Sequence, residues 1–371
     1  MKKTIRLIGV VITGLSFLAA CGSSGEESLP STTIEVEPST TIEVVEVLCP
    51  GTIGCIPEGQ PDINGDGKVK IGILSPGDTN DGGYYQGLVS MAKSVAASYG
   101  WEVIIVDMVP PAEAAEQTRN LCRLGVDLIA ITDSQLADAN PVGVEDICKD
   151  TIFYQNSNNP VDLTGYILVT KNSVFESQLT AGYATGLVMR ELGKTAAGFV
   201  SGPDLDFVTI AYKSWSVGIS TVLPKATFVK TLTGSMDDAA LGQEAVKAQI
   251  SQGAGIIYPY LGGASSAAVK AANSLKVLSV AAGTDRCEQP GFGVASIFSP
   301  GYFIGAVLED LKAGRVTMGE VRQFKVGVDS VPTAKICGSV GNAAALQKEL
   351  DAFIAKIGSG EILAQEFVEK G

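Results

Sequence analysis

The segment LSPGDTNDGGYYQGL, residues 74–88, places two adjacent aromatic side chains at the end of a glycine-rich turn. Tyr84 and Tyr85 are suited to stacking on a flat ligand. A glycine-rich turn can also hold a phosphate, but this one carries Asp78 and Asp81 and has neither the lysine nor the spacing of a P-loop. Because two carboxylates repel a phosphate, we expect a small neutral ligand that is hydroxylated or aromatic. In the alternative interpretation, the tyrosines cover a helix start that Asp81 caps.

Other residues offer little for catalysis or metal binding. The chain has no histidine, which removes the usual general base and the commonest metal ligand. The pair Asp78 and Asp81 would suit hydrolysis, but no recognisable nucleophile–base arrangement accompanies it. DINGDG at 62–67 opens like a calcium loop, yet Ile73 occupies the twelfth position, so an Asx/Gly turn before the first strand explains the same residues. We therefore predict no enzymatic activity, no cofactor and no metal.

Short apolar strands alternate with amphipathic helices over most of the chain, and these elements must position the tyrosines and the loops. The order strand–helix–strand–helix–strand at the start indicates parallel strands with right-handed crossovers, and the pattern then begins again. We predict an α/β fold with two doubly wound parallel-sheet lobes joined by a hinge. The predicted strands are 69–74, 102–107, 127–132, 165–170, 196–201, 227–232, 255–260 and 277–283, and the predicted helices are 84–99, 112–124, 175–193, 207–222, 237–252 and 264–274.

Polar or glycine-containing loops follow the apolar strands, among them SPGDTNDGG, DSQLAD, SGPDLDF, LGGASS and GTDRCEQ. In open α/β sheets, ligands bind beyond the carboxyl ends of the strands. Loops from both lobes would then face one cleft. Two similar lobes around such a cleft are typical of a binding protein that closes about a hinge.

The N-terminus has the features of a secretory signal, with basic residues before the apolar run LIGVVITGLSFLAA. Its end, LAAC, resembles a bacterial lipobox, which implies cleavage before Cys21 and a lipid on the cysteine sulfur. The alternative is an uncleaved anchor helix, for which the run is short. The segment after it is rich in Ser, Thr, Glu and Pro and contains PSTTIEV twice, as in a disordered tether. The predicted divisions are a signal peptide at 1–20, the lipidated cysteine and acidic tether at 21–66, lobe 1 at 67–170 plus 302–371, and lobe 2 at 171–301.

Cysteine usage indicates disulfides, because an even number remains outside the cytoplasm once Cys21 is lipidated. Six cysteines allow fifteen pairings, and these alternatives stay open from sequence alone. Proximity favours Cys49 with Cys55 and Cys122 with Cys148, which leaves Cys287 with Cys337.

From residue 68 to about 330, the chain resembles the basic membrane protein family of ABC-transporter substrate-binding lipoproteins. The resemblance depends on the order and spacing of NDGGYYQG, PPAEAAEQTRNLCRLGVDLIAI, ESQLTAGYATGLV, GFVSGPD, MDDAALGQEAVKAQISQGAGIIYPYLGG and GTD. It implies the type I periplasmic-binding-protein fold. Characterised members bind purine nucleosides, so the resemblance also implies a nucleoside-like ligand and a cognate ABC permease.

The resemblance assigns roles to single residues. Tyr84 matches an aromatic ring that stacks on the base, and Asp81 matches an acidic residue that reads the base edge. Asp285, in GTD, matches a carboxylate that accepts hydrogen bonds from the ribose hydroxyls; the alternative for it is a helix cap. These roles suit a nucleoside, because stacking contributes about 1–3 kcal/mol for each base.

Further positions either match the family or depart from it. Gly262 matches a glycine beside which the sugar approaches the backbone, and Asp133 or Ser134 lies in the matching loop of the first lobe. Tyr85 replaces an expected asparagine and Ser299 an expected lysine. These two departures leave purine, pyrimidine and sugar open as ligands.

The aromatic residue that would close on the ligand from the second lobe is not fixed by the sequence. Phe207, Tyr212 and Trp215 are the candidates. Trp215 lies on an amphipathic helix, where a core position is the alternative interpretation.

We predict a lipid-anchored binding protein on the extracytoplasmic face of the cell membrane that delivers a nucleoside-like ligand to an ABC permease. The alternatives are a pentose- or hexose-binding protein of an importer and a ligand-sensing lipoprotein. The formal net charge of −13, without a basic stripe, argues against nucleic acid as a partner. By analogy with such binders we expect a monomer that contacts the membrane through its lipid alone.

Overall fold

The predicted alternation of strands and helices is present in the computed structural model, which describes residues 61–81, 83–156, 167–316 and 319–371. The predicted signal peptide, Cys21 and the pair Cys49 and Cys55 lie outside the described residues. Within them, the strands form two sheets of six strands each. The predicted α/β class with two doubly wound lobes is confirmed.

The first sheet has the strand order β11-β5-β4-β3-β1-β2, and all of its neighbouring strands are parallel. Its inner strands are almost entirely buried, which explains their apolar sequences, whereas its two edge strands are partly exposed. Its members are β1 (Lys70–Leu74), β2 (Glu102–Val106), β3 (Leu128–Ile131), β4 (Ile152–Asn156), β5 (Ile167–Asn172) and β11 (Val321–Phe324).

The second sheet has the order β12-β10-β9-β8-β6-β7 and is parallel except for β12, which pairs antiparallel with β10. Its members are β6 (Ala196–Ser201), β7 (Thr227–Leu232), β8 (Ile256–Tyr260), β9 (Leu278–Gly283), β10 (Phe292–Ile297) and β12 (Thr333–Ile336).

Helices cover both sheets, and their bounds lie close to those predicted for the first six. The predicted helix at 112–124 is a 3-10 turn, Pro111–Glu113, followed by an α-helix. The α-helices are α1 (Tyr84–Tyr99), α2 (Ala114–Arg123), α3 (Val174–Glu191), α4 (Asp206–Val222), α5 (Ala239–Ser251), α6 (Ser265–Ser274), α7 (Pro300–Lys312), α8 (Ala343–Gly358) and α9 (Ala364–Lys370).

The chain passes between the two sheets three times: after β5, after β10 and after β11. The last passage makes part of the predicted division wrong, since 302–371 was assigned entirely to lobe 1. Strand β12 pairs with β10, and α8 packs its Leu346 and Leu350 into the core that contains Trp215. The end of the chain therefore belongs to the second lobe, and the crossing was missed because the sequence pattern of a strand does not reveal its partner.

The DINGDG segment forms the predicted turn. Asp62 accepts hydrogen bonds from the backbone N–H groups of Gly65 (2.8 Å), Asp66 (3.1 Å) and Gly67 (2.8 Å). Asp127 accepts the N–H of Ile63 at 2.7 Å and so joins the turn to the first lobe. The folded part begins before residue 66, which corrects the predicted end of the tether.

Two of the suggested disulfides form: Cys122–Cys148, which proximity favoured, and Cys287–Cys337, which was left by elimination. The first joins α2 to the 3-10 turn Asp146–Cys148, and the second joins the loop after β9 to the residue that follows β12. The second disulfide therefore fixes a loop at the carboxyl edge of the second sheet.

Candidate functional site

A cavity of about 310 Å³ lies at the carboxyl ends of the strands of both sheets, where the fold predicts a ligand site. Its lining comes from the loops after β1, β3, β4 and β5 and from those after β6, β7, β8, β9 and β10. The volume falls within the range of small-molecule sites, about 300–1,000 Å³. Half of the predicted site residues line it, namely Tyr84, Tyr85, Asp133, Phe207 and Gly262.

The two tyrosines enter the cavity from the start of α1. Their rings meet edge to face with centroids 5.5 Å apart, and both are half-buried. Gly77 makes room for this arrangement, because a Cβ there would lie 2.5 Å from the ring of Tyr85. Asp81 does not line the cavity: it accepts N–H groups at the helix start, from Gly83 (2.8 Å), Tyr85 (3.2 Å) and Gln86 (3.0 Å). The capping alternative thus describes what Asp81 does here.

A hydrogen-bond chain anchors Tyr84 to the first sheet. The side-chain amide of Asn156, at the end of β4, donates to the hydroxyl of Tyr84. The amide oxygen of Asn156 accepts from Thr170 (3.1 Å), whose hydroxyl also bonds to that of Tyr154 (2.8 Å). This chain fixes the tyrosine ring before any ligand arrives, which lowers the entropy cost of stacking.

Asp133 supplies a carboxylate to the same cavity. Its side chain accepts the N–H of Gln135 at 2.8 Å. Burial raises the pKa of Asp133, and the hydrogen bonds from Gln135 oppose that rise. Burial also raises the pKa values of Tyr84 and Tyr85, and the negative charge of Asp133 adds to both shifts. Both phenols therefore stay protonated and can donate hydrogen bonds at neutral pH.

Three aromatic rings from the second lobe line the cavity. Tyr260 lies between Phe207 and Phe298, with ring centroids 6.2 Å and 6.0 Å away. Of the three second-lobe aromatic residues that the sequence left as candidates, Phe207 lines the cavity. Trp215 is fully buried in the core and donates its indole N–H to Thr185 at 3.1 Å, as its core alternative predicts.

Gly262, which follows β8, lies against the side chain of Asp237. Gly262 lines the cavity, and a Cβ added there would lie 2.7 Å from a carboxylate oxygen of Asp237. That carboxylate accepts the N–H of Gly263 at 2.7 Å. The absent side chain at 262 therefore leaves room for Asp237, which also lines the cavity.

The remaining predicted residues lie outside the lining. Ser134 begins the 3-10 segment Ser134–Val144, and Ser299 is the N-cap residue of α7. Asp285 accepts the N–H of Cys287 at 2.9 Å and forms an ion pair with Lys335, N to O 2.7 Å. Its neighbour, Arg286, lines the cavity instead.

Several lining residues were missed from the sequence although a signal was present. Four of them, Asn156, Asn172, Tyr260 and Phe298, lie at the end of a strand or directly after one, where the fold places its ligand, whereas Arg286 lies in the loop after β9 and Gln178 lies within α3. Strand β4 itself was not predicted, so its last residue was overlooked. The missed residues are Asn156, Asn172, Gln178, Tyr260, Arg286 and Phe298.

The side-chain amide of Gln178 has hydrogen-bond donors that the cavity can present to a ligand. It is 1 % exposed, and its amide oxygen accepts from the hydroxyl of Tyr258 at 2.9 Å. The described residues supply no hydrogen-bond partner for its NH₂ group, which lies on the cavity wall. A ligand with an acceptor atom would satisfy it.

In the part of the chain that the structure describes, no group of three or more His, Cys, Asp or Glu side chains is placed to hold a metal ion. No helix there is both long and apolar enough to span a membrane.

Comparisons with known proteins agree with this architecture. The family described as "Bmp: ABC transporter substrate-binding protein PnrA-like" matches residues 68–316. No curated protein matches the sequence. Among solved structures, a solute-binding protein of an ABC transporter system from Conexibacter woesei DSM 14684 is 21 % identical with a TM-score of 0.64, covering 79 % of this chain and 97 % of that one.

Two more solved structures share the fold. A solute-binding protein of an ABC transporter system from Aeropyrum pernix K1 is 15 % identical, with a TM-score of 0.63 over 81 % of this chain and 90 % of that one. A protein titled as a transcriptional activator of the comK gene from Bacillus halodurans is 16 % identical, with a TM-score of 0.63 over 79 % and 99 %. Since the family match spans more than half of the chain, this protein belongs to the Bmp family of PnrA-like ABC transporter substrate-binding proteins.

Proposed function

We propose that this protein binds a nucleoside-like ligand in the interlobe cavity and delivers it to a cognate ABC permease. Substrate-binding proteins of this family are extracytoplasmic, non-enzymatic components of transport. The observation that carries the proposal is the aromatic lining from both lobes, with Tyr84 and Tyr85 on one side and Phe207, Tyr260 and Phe298 on the other. A planar base fits between such walls, as each base–aromatic stack contributes about 1–3 kcal/mol.

Polar groups around the aromatic rings suit the edges of a base and a sugar. Asp133 accepts hydrogen bonds from amino or ring N–H groups, and the NH₂ group of Gln178 donates to a carbonyl or ring nitrogen. Asp237 and Ser235 are available for hydroxyl groups from the second lobe. Binding of this kind uses both lobes, so it favours closure about the three connecting segments.

The test begins with the ligand that the cell supplies. The full-length protein is purified natively in detergent and denatured, and the released small molecules are identified by mass spectrometry. Calorimetry then measures the affinity for adenosine, guanosine, inosine, uridine, ribose and xylose. We expect nucleosides to bind and to be recovered chemically unchanged. Binding of ribose or xylose alone would refute the nucleoside and favour the pentose alternative.

Variants of the lining residues test whether the ligand binds in the cavity. Tyr84→Ala and Phe207→Ala each remove one aromatic wall, and we expect nucleoside affinity to fall by about tenfold or more. Tyr99→Ala is the matched control, because it removes the same side chain from the other end of α1, outside the cavity lining. Equal affinities of the Tyr84 and Tyr99 variants would contradict the proposed site.

We also propose that Cys21 carries the lipid anchor and that the protein is monomeric. In cells, Cys21→Ala should move the protein from the membrane fraction to the soluble one, and labelling with a fatty-acid probe should disappear. An unlabelled wild-type protein would refute the anchor. A mass slightly below the 38.4 kDa of the uncleaved chain in size-exclusion chromatography with light scattering, after correction for detergent, would support the monomer.

A further inference from the structure

The loop after β9 brings a cation to the cavity where the family resemblance implies a carboxylate. Asp285 is engaged by Lys335 (2.7 Å) and by the N–H of Cys287 (2.9 Å). The disulfide between Cys287 and Cys337 joins this loop to the residue that follows β12. With the loop held from both sides of Arg286, Asp285 stays outside the cavity lining and Arg286 within it.

The guanidinium of Arg286 is half-buried and lacks a charge partner. Its Nε donates to the side-chain oxygen of Gln289 at 3.0 Å, and its central carbon lies 5.1 Å from the centroid of the Phe292 ring. Among the described residues, no carboxylate comes within 4.0 Å of it and its two terminal nitrogens have no hydrogen-bond partner. Burial of this cation is costly unless an acceptor restores what hydration is lost.

The carboxylates that argued for a neutral ligand do not line the cavity. Asp78 is exposed and accepts the N–H of Asn80 at 2.8 Å, while Asp81 caps α1. The acidic side chains that do line it, Asp133 and Asp237, each accept a backbone N–H. The charge argument from Asp78 and Asp81 therefore does not apply to this cavity, and the charges that a ligand meets there are those of Asp133, Asp237 and Arg286.

We propose that Arg286 is a specificity-determining residue that binds an oxyanion, a carboxylate or a phosphate, carried by the ligand. This inference deepens the proposed function and rests on it for the aromatic part of the ligand. The terminal nitrogens of a guanidinium form a planar fork that matches two oxygens of either anion, and such charge-assisted pairs are the stronger hydrogen bonds. A ligand with a base at one end and an oxyanion at the other would occupy both the aromatic walls and Arg286.

The test compares three probes that share one base: adenosine, adenosine monophosphate, and the uronic-acid form of adenosine, in which the terminal CH₂OH is a carboxylate. Calorimetry with the full-length protein should show at least one anionic probe binding about tenfold or more tightly than adenosine. The better of the two anions identifies the source of the oxyanion. In Arg286→Gln this preference should disappear, so that the anionic probes bind no more tightly than adenosine does.

Two further variants separate the effect of the planar guanidinium from the effects of positive charge and of protein stability. Arg286→Lys keeps the charge without the fork, so we expect it to retain only part of the preference. Lys247→Gln removes one positive charge from the exposed surface of α5 in the same lobe and should leave the preference unchanged. Thermal melting of each variant checks that the fold is intact.

The outcomes distinguish this inference from the proposed function. If adenosine binds and neither anion binds better, or if Arg286→Gln keeps the preference, the role of Arg286 is refuted and the proposed function stands. If no adenosine probe binds, indole and indole-3-carboxylate are compared: a preference for the carboxylate that is lost in Arg286→Gln supports the oxyanion contact and refutes the nucleoside. If those probes also fail to bind, both proposals are refuted.

Discussion

The crossing of α3 and α4 allows a demanding test of the structure through Gly182→Ala. A Cβ on Gly182 would lie 2.1 Å from the backbone oxygen of Trp215 and 2.8 Å from its carbonyl carbon. The crossing is tight from the other side too, as a Cβ on Gly218 would lie 2.4 Å from the backbone oxygen of Leu179. These neighbours are backbone atoms within helices, so no side-chain rotation relieves the clash.

The magnitude follows from this geometry. Ordinary contact begins near 3.4 Å, so the helices must separate by about 1.3 Å at Gly182 in a core that is otherwise close-packed. Overpacking of a core costs about 1–3 kcal/mol and occasionally more. Replacing glycine with alanine within a helix stabilises the helix by about 1 kcal/mol. Because the clash is with backbone atoms at 2.1 Å, the cost lies at the upper end of this range, and we expect Gly182→Ala to lower the free energy of unfolding by about 2 kcal/mol after the helix gain is subtracted.

Urea unfolding followed by tryptophan fluorescence measures this change, and Gly305→Ala in α7 is the matched control. Its added Cβ would lie 3.1 Å from Cγ of Met91, a side chain that is 40 % exposed and able to move. The helix-propensity gain is shared, so the control should be neutral or more stable by up to about 1 kcal/mol. If Gly182→Ala is as stable as Gly305→Ala, the described crossing is wrong.

Three other perturbations test separate parts of the structure. Burial raises the pKa of Glu176, and the hydrogen bond from the N–H of Val326 only partly opposes that rise. The folded state therefore holds the proton more tightly than the unfolded state does. As a result, the free energy of unfolding falls as the pH rises from the unfolded pKa to the folded pKa. Glu176→Gln should therefore be more stable than wild type at pH 7, by urea unfolding, and this gain should shrink at acidic pH. Replacing Cys122 and Cys148 with serine releases a loop closed over 26 residues and should cost about 3 kcal/mol in the same assay. Tyr84→Phe removes the hydroxyl that accepts from the amide of a buried asparagine and should lower ligand-free stability by about 1 kcal/mol, while nucleoside affinity falls less than in Tyr84→Ala.

Each of these tests has an outcome that would contradict it. A Glu176→Gln variant less stable than wild type at pH 7 would show that its carboxylate is a net stabilising contact. Unchanged stability of the serine variant would mean that Cys122 and Cys148 are not joined. Equal loss of affinity in Tyr84→Phe and Tyr84→Ala would show that the hydroxyl, not the ring, binds the ligand.

Much of the fold could be predicted because its signals are local. Apolar runs of strand length, amphipathic helices and polar loops at strand ends are properties of neighbouring residues, and a parallel arrangement follows from their alternation. The position of the cavity could be predicted in the same way, because the loops after β1 and β3 carry the chain to Tyr84, Tyr85 and Asp133, which line it. The last strand, β12, was assigned to the wrong lobe because the sequence pattern of a strand does not reveal that its partner is β10.

The side chains that face the cavity were harder to predict, because contacts distant in sequence decide them. Asp285 and Arg286 are adjacent in one loop, and the sequence pattern does not distinguish which of them faces a ligand. Lys335, 50 residues away, engages Asp285, and the disulfide to Cys337 holds the loop in that position. The sequence by itself determined two lobes with binding loops between them, because periodicity and loop chemistry are local. Only the tertiary structure decided that a guanidinium, and not a carboxylate, faces the cavity there, because an ion pair and a covalent bond to the residue after β12 orient the loop.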